Sequence, residues 1–410
     1  MENKHSLKRF LRNIYGYGFF NKMTLLTPVY ALFMQANGVT DTQLSGLMML
    51  YPIAILLTQM PVTKITNRIG RKYAVVIGQM LKALTFVIWY VVPTLPGFAV
   101  GMFLWGMQFA FSEIAMDALI YDELDARHGR GAYTRVLGRY FVAKASGVAV
   151  SAFGSLAMVW GYGWVTVASV VALGLSVLCV LNIRQMAPVV VIPKKVRFTS
   201  LMRVGCHLCM TVPCILNLML LSLMVANFAY LDDYLGPIGV AIGLPMNYVG
   251  IMPFLLLGCS VLGQRIAYKF ARISNYTIYG AICAVGALFG MFCAVYSVAA
   301  IALLCAAYFL VGVLNTLLYS KFQDAIPTHA RSVLLSFYSI GSNAAYVMVC
   351  GVIGLGSGLG SWRWGVAMLG AVLVWTGVWG ALFVRNQCAV PNADVRAANT
   401  APQVGTNSVA

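Results

Sequence analysis

The sequence predicts an all-α membrane protein of twelve transmembrane helices, built as two six-helix halves with both termini on the cytoplasmic side. Three observations predict it. Hydrophobic residues make up 60% of the 410 and charged residues only 10%, with a mean hydropathy of +0.82. A soluble domain carries roughly 25% charge, and a globule in water has nowhere to put this much apolar surface. The apolar residues fall into twelve runs of about 20 residues, the length that crosses a roughly 30 Å hydrocarbon core. The positive charges gather in alternate loops. Two soluble domains, a secreted disulfide scaffold and a disordered chain are excluded.

The runs lie at about 10–34, 42–63, 71–93, 96–119, 138–160, 162–182, 205–230, 246–267, 275–296, 298–320, 333–357 and 363–384. They are numbered below as spans one to twelve. Backbone groups in lipid must bond within their own segment, so each run is a helix. Lys4, Lys8, Arg9 and Arg12 lead into span one without a small-residue cleavage site, which predicts a retained anchor. Residues 1–182 form the first half, 183–204 a basic, proline-containing cytoplasmic linker, and 205–386 the second half. The polar Ala/Asn/Thr-rich tail, 387–410, is expected to be disordered. Six spans on each side of one linker suggest related halves with a pathway between them.

An inside N-terminus places the basic groups Lys64–Lys72, Arg127–Arg139, Arg184–Arg203 and Arg265–Arg272 on one face. The opposite face keeps only Arg363, with Asp41, Asp232 and Asp233. This is the positive-inside bias, and it fixes the orientation. It also accounts for most of the +17 net charge without a nucleic-acid partner.

The ten cysteines lie mostly in apolar runs, where Cys behaves as a small hydrophobe. The group Cys206, His207, Cys209 and Cys214 lacks the second pair a zinc site needs, so no metal is expected. No Gly-Lys-Ser/Thr phosphate loop occurs, which argues against ATP drive, and no cofactor is expected. The four histidines have no convincing nucleophile or base beside them, so the chain is not read as an enzyme.

Between spans two and three the chain reads Thr63-Lys64-Ile65-Thr66-Asn67-Arg68-Ile69-Gly70-Arg71-Lys72. This resembles the signature loop of the major facilitator superfamily, Gly-x-x-x-Asp-Arg-x-Gly-Arg-Arg/Lys. Arg68, Gly70, Arg71 and Lys72 match it; Thr63 replaces the first Gly and Asn67 the Asp. In architecture the resemblance covers about residues 8–385. It implies a secondary transporter that moves a small solute by rocking two halves. It also implies gating roles for Asn67, Arg68, Gly70, Arg71 and Lys72 with Arg139, and the change to Asn67 implies a differently built lock. Two familiar features are absent. Span four, at Leu104-Trp105-Gly106-Met107-Gln108, lacks the Arg of many proton-coupled members, and span five lacks the Gly-Pro of drug/proton antiporters. The run Asp117–Asp122 is similar to one in uncharacterised bacterial members.

Charges inside spans cost at least about 2.5 kcal/mol at the helix centre, so each needs a reason. Five qualify: Lys22, Lys82, Glu113, Asp117 and Lys144. Glu113 and Lys144 lie at matched depths of roughly 10 and 9 Å and are expected to pair. Asp117 lies one turn nearer the inside, with Arg139 as its expected partner. These pairs are either structural ties or a protonatable relay of Glu113, Asp117 and Lys144. Lys22 and Lys82 lie roughly 16–18 Å deep with no acid at that depth. Lys22 is read as an anchor for an anionic group in a central cavity, and Lys82 as structural. Tyr15, Asn21, Asn227, Tyr230, Asn315, Tyr338 and Asn343 are the further solute-binding candidates, as polar groups on spans one, seven, ten and eleven. Such groups either bond a neighbouring helix or face water. Pro28, Pro213 and Pro253 can open helix backbones.

Three readings follow. The first is a monomeric secondary transporter of the cytoplasmic (inner) membrane, carrying an anionic or zwitterionic solute with H+ as the coupling ion. The second is proton-driven efflux of lipophilic drugs. The third is a non-transporting receptor or scaffold on the same fold.

Overall fold

A computed structural model describes residues 2–126, 133–184, 213–229, 231–271, 273–326 and 331–384. Among these, the regular structure is helical. Eleven helices are long and apolar enough to cross a membrane, and they fall at expected spans two to twelve. Span one is divided: a helix over Glu2–Lys22, irregular backbone, then a short helix over Tyr30–Ala36. The linker core and the tail lie outside the described residues.

The break in span one follows from Pro28, which has no N–H to give, and from Thr24 and Thr27, whose hydroxyls bond each other at 2.6 Å. Backbone groups freed by a break in lipid need new partners. The Lys82 ammonium donates to the Asn21 carbonyl at 2.9 Å, where carbonyls at the helix end lack helical partners. The Leu26 N–H donates to Ser169 Oγ of span six at 2.9 Å. Pro213 and Pro253 instead sit in the first turns of helices over Pro213–Phe228 and Ile251–Ile266, where proline is tolerated.

Span seven also breaks. Its helix ends at Phe228, a short 3-10 turn covers Asp232–Tyr234, and a helix over Leu235–Ala241 completes the crossing. The apolar run therefore extends to Ala241 rather than residue 230. Asp232 and Asp233 are not in an outer loop, as the charge pattern suggested. They sit at the break itself.

The packing differs between the two faces. The largest apolar cluster joins both halves near the outer face, bringing Leu26, Val29 and Tyr30 together with Tyr234, Leu235 and Ile353. Towards the basic face the clusters separate. One is built on Phe10, Ile14 and Tyr140 of the first half, another on Ile215, Phe322 and Leu334 of the second. Spans two and eleven meet along their outer ends, where a Cβ on Gly354 would lie 3.0 Å from that of Ser45. Among the described residues the halves are joined at the outer face and parted at the basic one. On the described residues the arrangement is inward-facing.

Candidate functional site

In the first half, Glu113 of span four accepts a hydrogen bond from Lys144 of span five, Oε2 to Nζ at 2.9 Å. Its other oxygen, Oε1, lies 3.8 Å from the Lys22 ammonium. Glu113 and Lys144 are 20% and 16% exposed, and Lys22 is 38% exposed, so the cluster opens on the Lys22 side. Lys22 is the last residue of the first helix, immediately before the break. Gly147 allows the approach of spans one and five: a Cβ there would lie 2.3 Å from the Phe19 carbonyl. Lys144 also sits 5.0 Å above the Tyr140 ring.

Several expectations change. Lys22 is not an unpaired cation; Glu113 reaches it, because the span-four helix runs on to Ala126 rather than ending near residue 119, which carries Glu113 deeper than expected. Lys82 is buried and held by Asn21, through the backbone carbonyl and through Oδ1 at 3.3 Å. Asn21 is therefore buried in a helix contact rather than facing a cavity. Asp117 and Arg139 are both exposed and form no ion pair with each other.

In the signature loop, Gly70 adopts φ +88°, a conformation that favours glycine, and so turns span two sharply into span three. Arg71 donates to the Ala118 carbonyl at 2.8 Å and pairs with Asp122. Lys72 caps span six, donating to the Leu181 and Ile183 carbonyls at 2.8 Å. Asn67 is half-buried and Arg68 exposed, with no ion pair among the described residues. These loop contacts tie the first half to itself. Among the described residues they make no ion pair with the second half.

The remaining candidates divide. The Asn227 amide donates to the Leu223 carbonyl and accepts from Ser342, tying spans seven and eleven. Asn343 bonds the Ser339 carbonyl of its own helix. The Tyr338 hydroxyl meets Ser222 at 3.0 Å, and its ring stacks on Phe322. Tyr15 carries a buried hydroxyl without a partner, and Asn315 is half-buried. Tyr230 lies outside the described residues.

Sequence reasoning missed the second cluster. Asp233 accepts from Tyr30 of span one at 2.7 Å, and from Tyr346 of span eleven. Asp232 accepts from Tyr308 of span ten at 3.1 Å. Among the described residues neither aspartate forms an ion pair. The Tyr51 ring of span two packs edge-on to Trp105, which itself packs edge-on to Tyr30. The usable signal was the apolar run Leu235–Ala241 just beyond the aspartates, which only a longer span seven absorbs. Paired broken helices at corresponding positions of two halves are a general pointer to a transport pathway.

Residues 15–349 match the Major Facilitator Superfamily. The chain belongs to that superfamily. It is a multi-pass membrane transporter rather than an enzyme. Among curated proteins, none matches the sequence. Solved structures share the superfamily fold. A POT family peptide transporter, auto-inhibited, aligns at TM-score 0.71 and 13% identity over 94% of this chain and 98% of that one. A D-xylose-proton symporter aligns at 0.68 and 13%, over 92% and 97%. A bacterial homologue of the human lysosomal transporter Spinster, inward-facing and unoccupied, aligns at 0.62 and 16%, over 93% and 95%. At these identities the likeness is one of fold.

Proposed function

We propose that this superfamily member carries a small anionic or zwitterionic solute across the cytoplasmic membrane by alternating access, with proton exchange at Glu113. One observation carries the reading: a single carboxylate, Glu113, is shared between Lys144 and the half-exposed Lys22 at the broken end of span one. A proton taken by Glu113 removes its claim on Lys22. The freed ammonium then meets an anionic group of the solute. When the solute leaves, Glu113 gives up its proton and takes Lys22 back. One of the structural neighbours is a proton symporter by name, a precedent for such coupling on this fold. The transporter works as a monomer in this reading.

A second reading has its own observation. Among the described residues Asp232 and Asp233 meet no cation, and Tyr30 beside them stacks on Trp89 and packs edge-on to Trp105. Acid beside aromatic surface suits a lipophilic cation, as an efflux pump requires. Ligand that binds only the folded protein raises its stability by mass action, about 2.7 kcal/mol at a hundred times Kd. Thermal stabilisation of the detergent-solubilised protein is therefore measured against anionic, zwitterionic, neutral and cationic solutes. The first reading expects a shift with anions or zwitterions that disappears in Lys22→Ala. A shift only with lipophilic cations, kept in Lys22→Ala and lost in Asp233→Asn, replaces it with efflux. Binding without flux in proteoliposomes replaces both with a receptor.

A further inference from the structure

We infer that Asp233 is the catch of an outer latch: it holds the mouth opposite the basic face shut by gripping Tyr30 of the other half. The argument starts from the break in span seven. A helix interrupted in lipid leaves N–H and C=O groups to satisfy. The Leu231 N–H donates to the Tyr308 hydroxyl at 2.8 Å, and that hydroxyl donates onward to Asp232. Tyr308 belongs to span ten, so the break is pinned within the second half. This fixes the next residue, Asp233, at the seam between the halves.

Asp233 uses its two oxygens differently. Oδ2 takes the Tyr346 hydroxyl of span eleven, inside its own half. Oδ1 takes the Tyr30 hydroxyl of span one, across the seam, at 2.7 Å. Tyr30 is the first residue of the short helix that follows the break in span one. The bond therefore joins the two broken spans at corresponding places. Around it the seam is apolar: Leu32 lies 3.5 Å from where a Cβ on Gly236 would be, and Met49 3.3 Å from one on Gly351. Apolar contact is non-directional and lets surfaces separate or slide. The Tyr30–Asp233 bond adds direction, and as a hydrogen bond to a carboxylate it is among the stronger kind. Opening the outer mouth moves span one away from span seven and must break it. Tyr346 stays on Asp233 through that motion, so the carboxylate keeps one donor throughout.

The inference rests on alternating access, and its test separates the two. Hydrogen–deuterium exchange is followed by mass spectrometry in the full chain, with Tyr30→Phe as the main variant. That change removes one hydroxyl and keeps the ring packed on Trp89, so folding is preserved; Asp233→Asn is the stronger second variant. Loss of a hydrogen bond to a charged group is expected to shift the outward-to-inward ratio by about tenfold. Exchange should rise at the outer ends of spans two and eleven and fall at the basic-side ends of spans four, five and ten. A rise at the outer ends alone keeps the latch and overturns the rocking of two halves. Unchanged outer ends in both variants overturn the latch. A rise spread evenly over the chain also overturns it, since it marks a mere structural tie.

Discussion

Spans one and seven both break towards their outer ends, each before a seven-residue helix, and they repair the break with different chemistry. In span one the freed carbonyl goes to a lysine, Lys82, and the freed N–H to a serine. Beside that break a carboxylate is matched by two ammonium groups. In span seven the freed N–H goes to a tyrosine hydroxyl. Beside that break, among the described residues, two carboxylates are met by tyrosines alone. The first cluster can exchange a charge partner for a proton or an anion. The second holds neutral donors in this state. Ion chemistry thus belongs to the first half, and the grip between halves to the second.

The sharpest way to break this comparison is Glu113→Gln. The variant leaves Lys144 without its counter-ion. Removing one member of a buried pair costs about 3 kcal/mol, the low end of the usual range. Denaturant titration in micelles measures that loss. The double variant Glu113→Gln with Lys144→Met should recover most of it. Gradient-driven uptake into proteoliposomes should stay absent in both. Uptake restored along with stability would make the pair a structural tie and end the relay.

Next comes Gly154→Ala against Gly236→Ala. Both glycines face the break in span one, from the first and second halves respectively. A Cβ on Gly154 would lie 1.9 Å from the Leu25 carbonyl, whereas one on Gly236 would have 3.5 Å to Leu32 and to the Pro28 carbonyl. Overpacking of the first kind costs about 1–3 kcal/mol. The second should change stability by under about 0.5 kcal/mol. Equal costs would mean that the seam between halves is as tight as the packing within one.

Tyr308→Phe probes the second break. It leaves the Leu231 N–H and one Asp232 oxygen short of a partner. A loss of about 1–2 kcal/mol is expected, in line with a buried donor left unmet. Stability unchanged in the same titration would show that other groups satisfy the break.

Much of this molecule is legible in the sequence because lipid imposes strong rules. Run length located eleven spans, and the loop charges oriented them. The loop Asn67–Lys72 marked the superfamily. Glu113 and Lys144 were matched by depth, since both lie on unbroken helices. What failed was where helices end and break. Lys22 was placed too far from Glu113, because the span-four helix runs on to Ala126 and seats Glu113 deeper than a span ending at residue 119 would. Asp232 and Asp233 were placed in an outer loop, because a hydropathy window stops at two adjacent acids although the apolar run resumes at Leu235. Asn21 was read as facing a cavity, since sequence cannot show that Lys82 of another span would occupy it.

The smallest expected effect belongs to Asp117. Its spacing from Glu113 places both on one face of span four, and this made it a relay candidate. Yet Asp117 is exposed and has no ion pair with Arg139, while Glu113 takes both lysines. An exposed carboxylate without a partner loses little on substitution. Asp117→Asn should therefore shift stability by less than about 0.5 kcal/mol, and proteoliposome uptake should keep its dependence on the pH gradient. If uptake in Asp117→Asn loses that dependence while Glu113→Gln retains it, the proton enters at the exposed acid. The lysine-bound Glu113 would then be the tie between spans four and five.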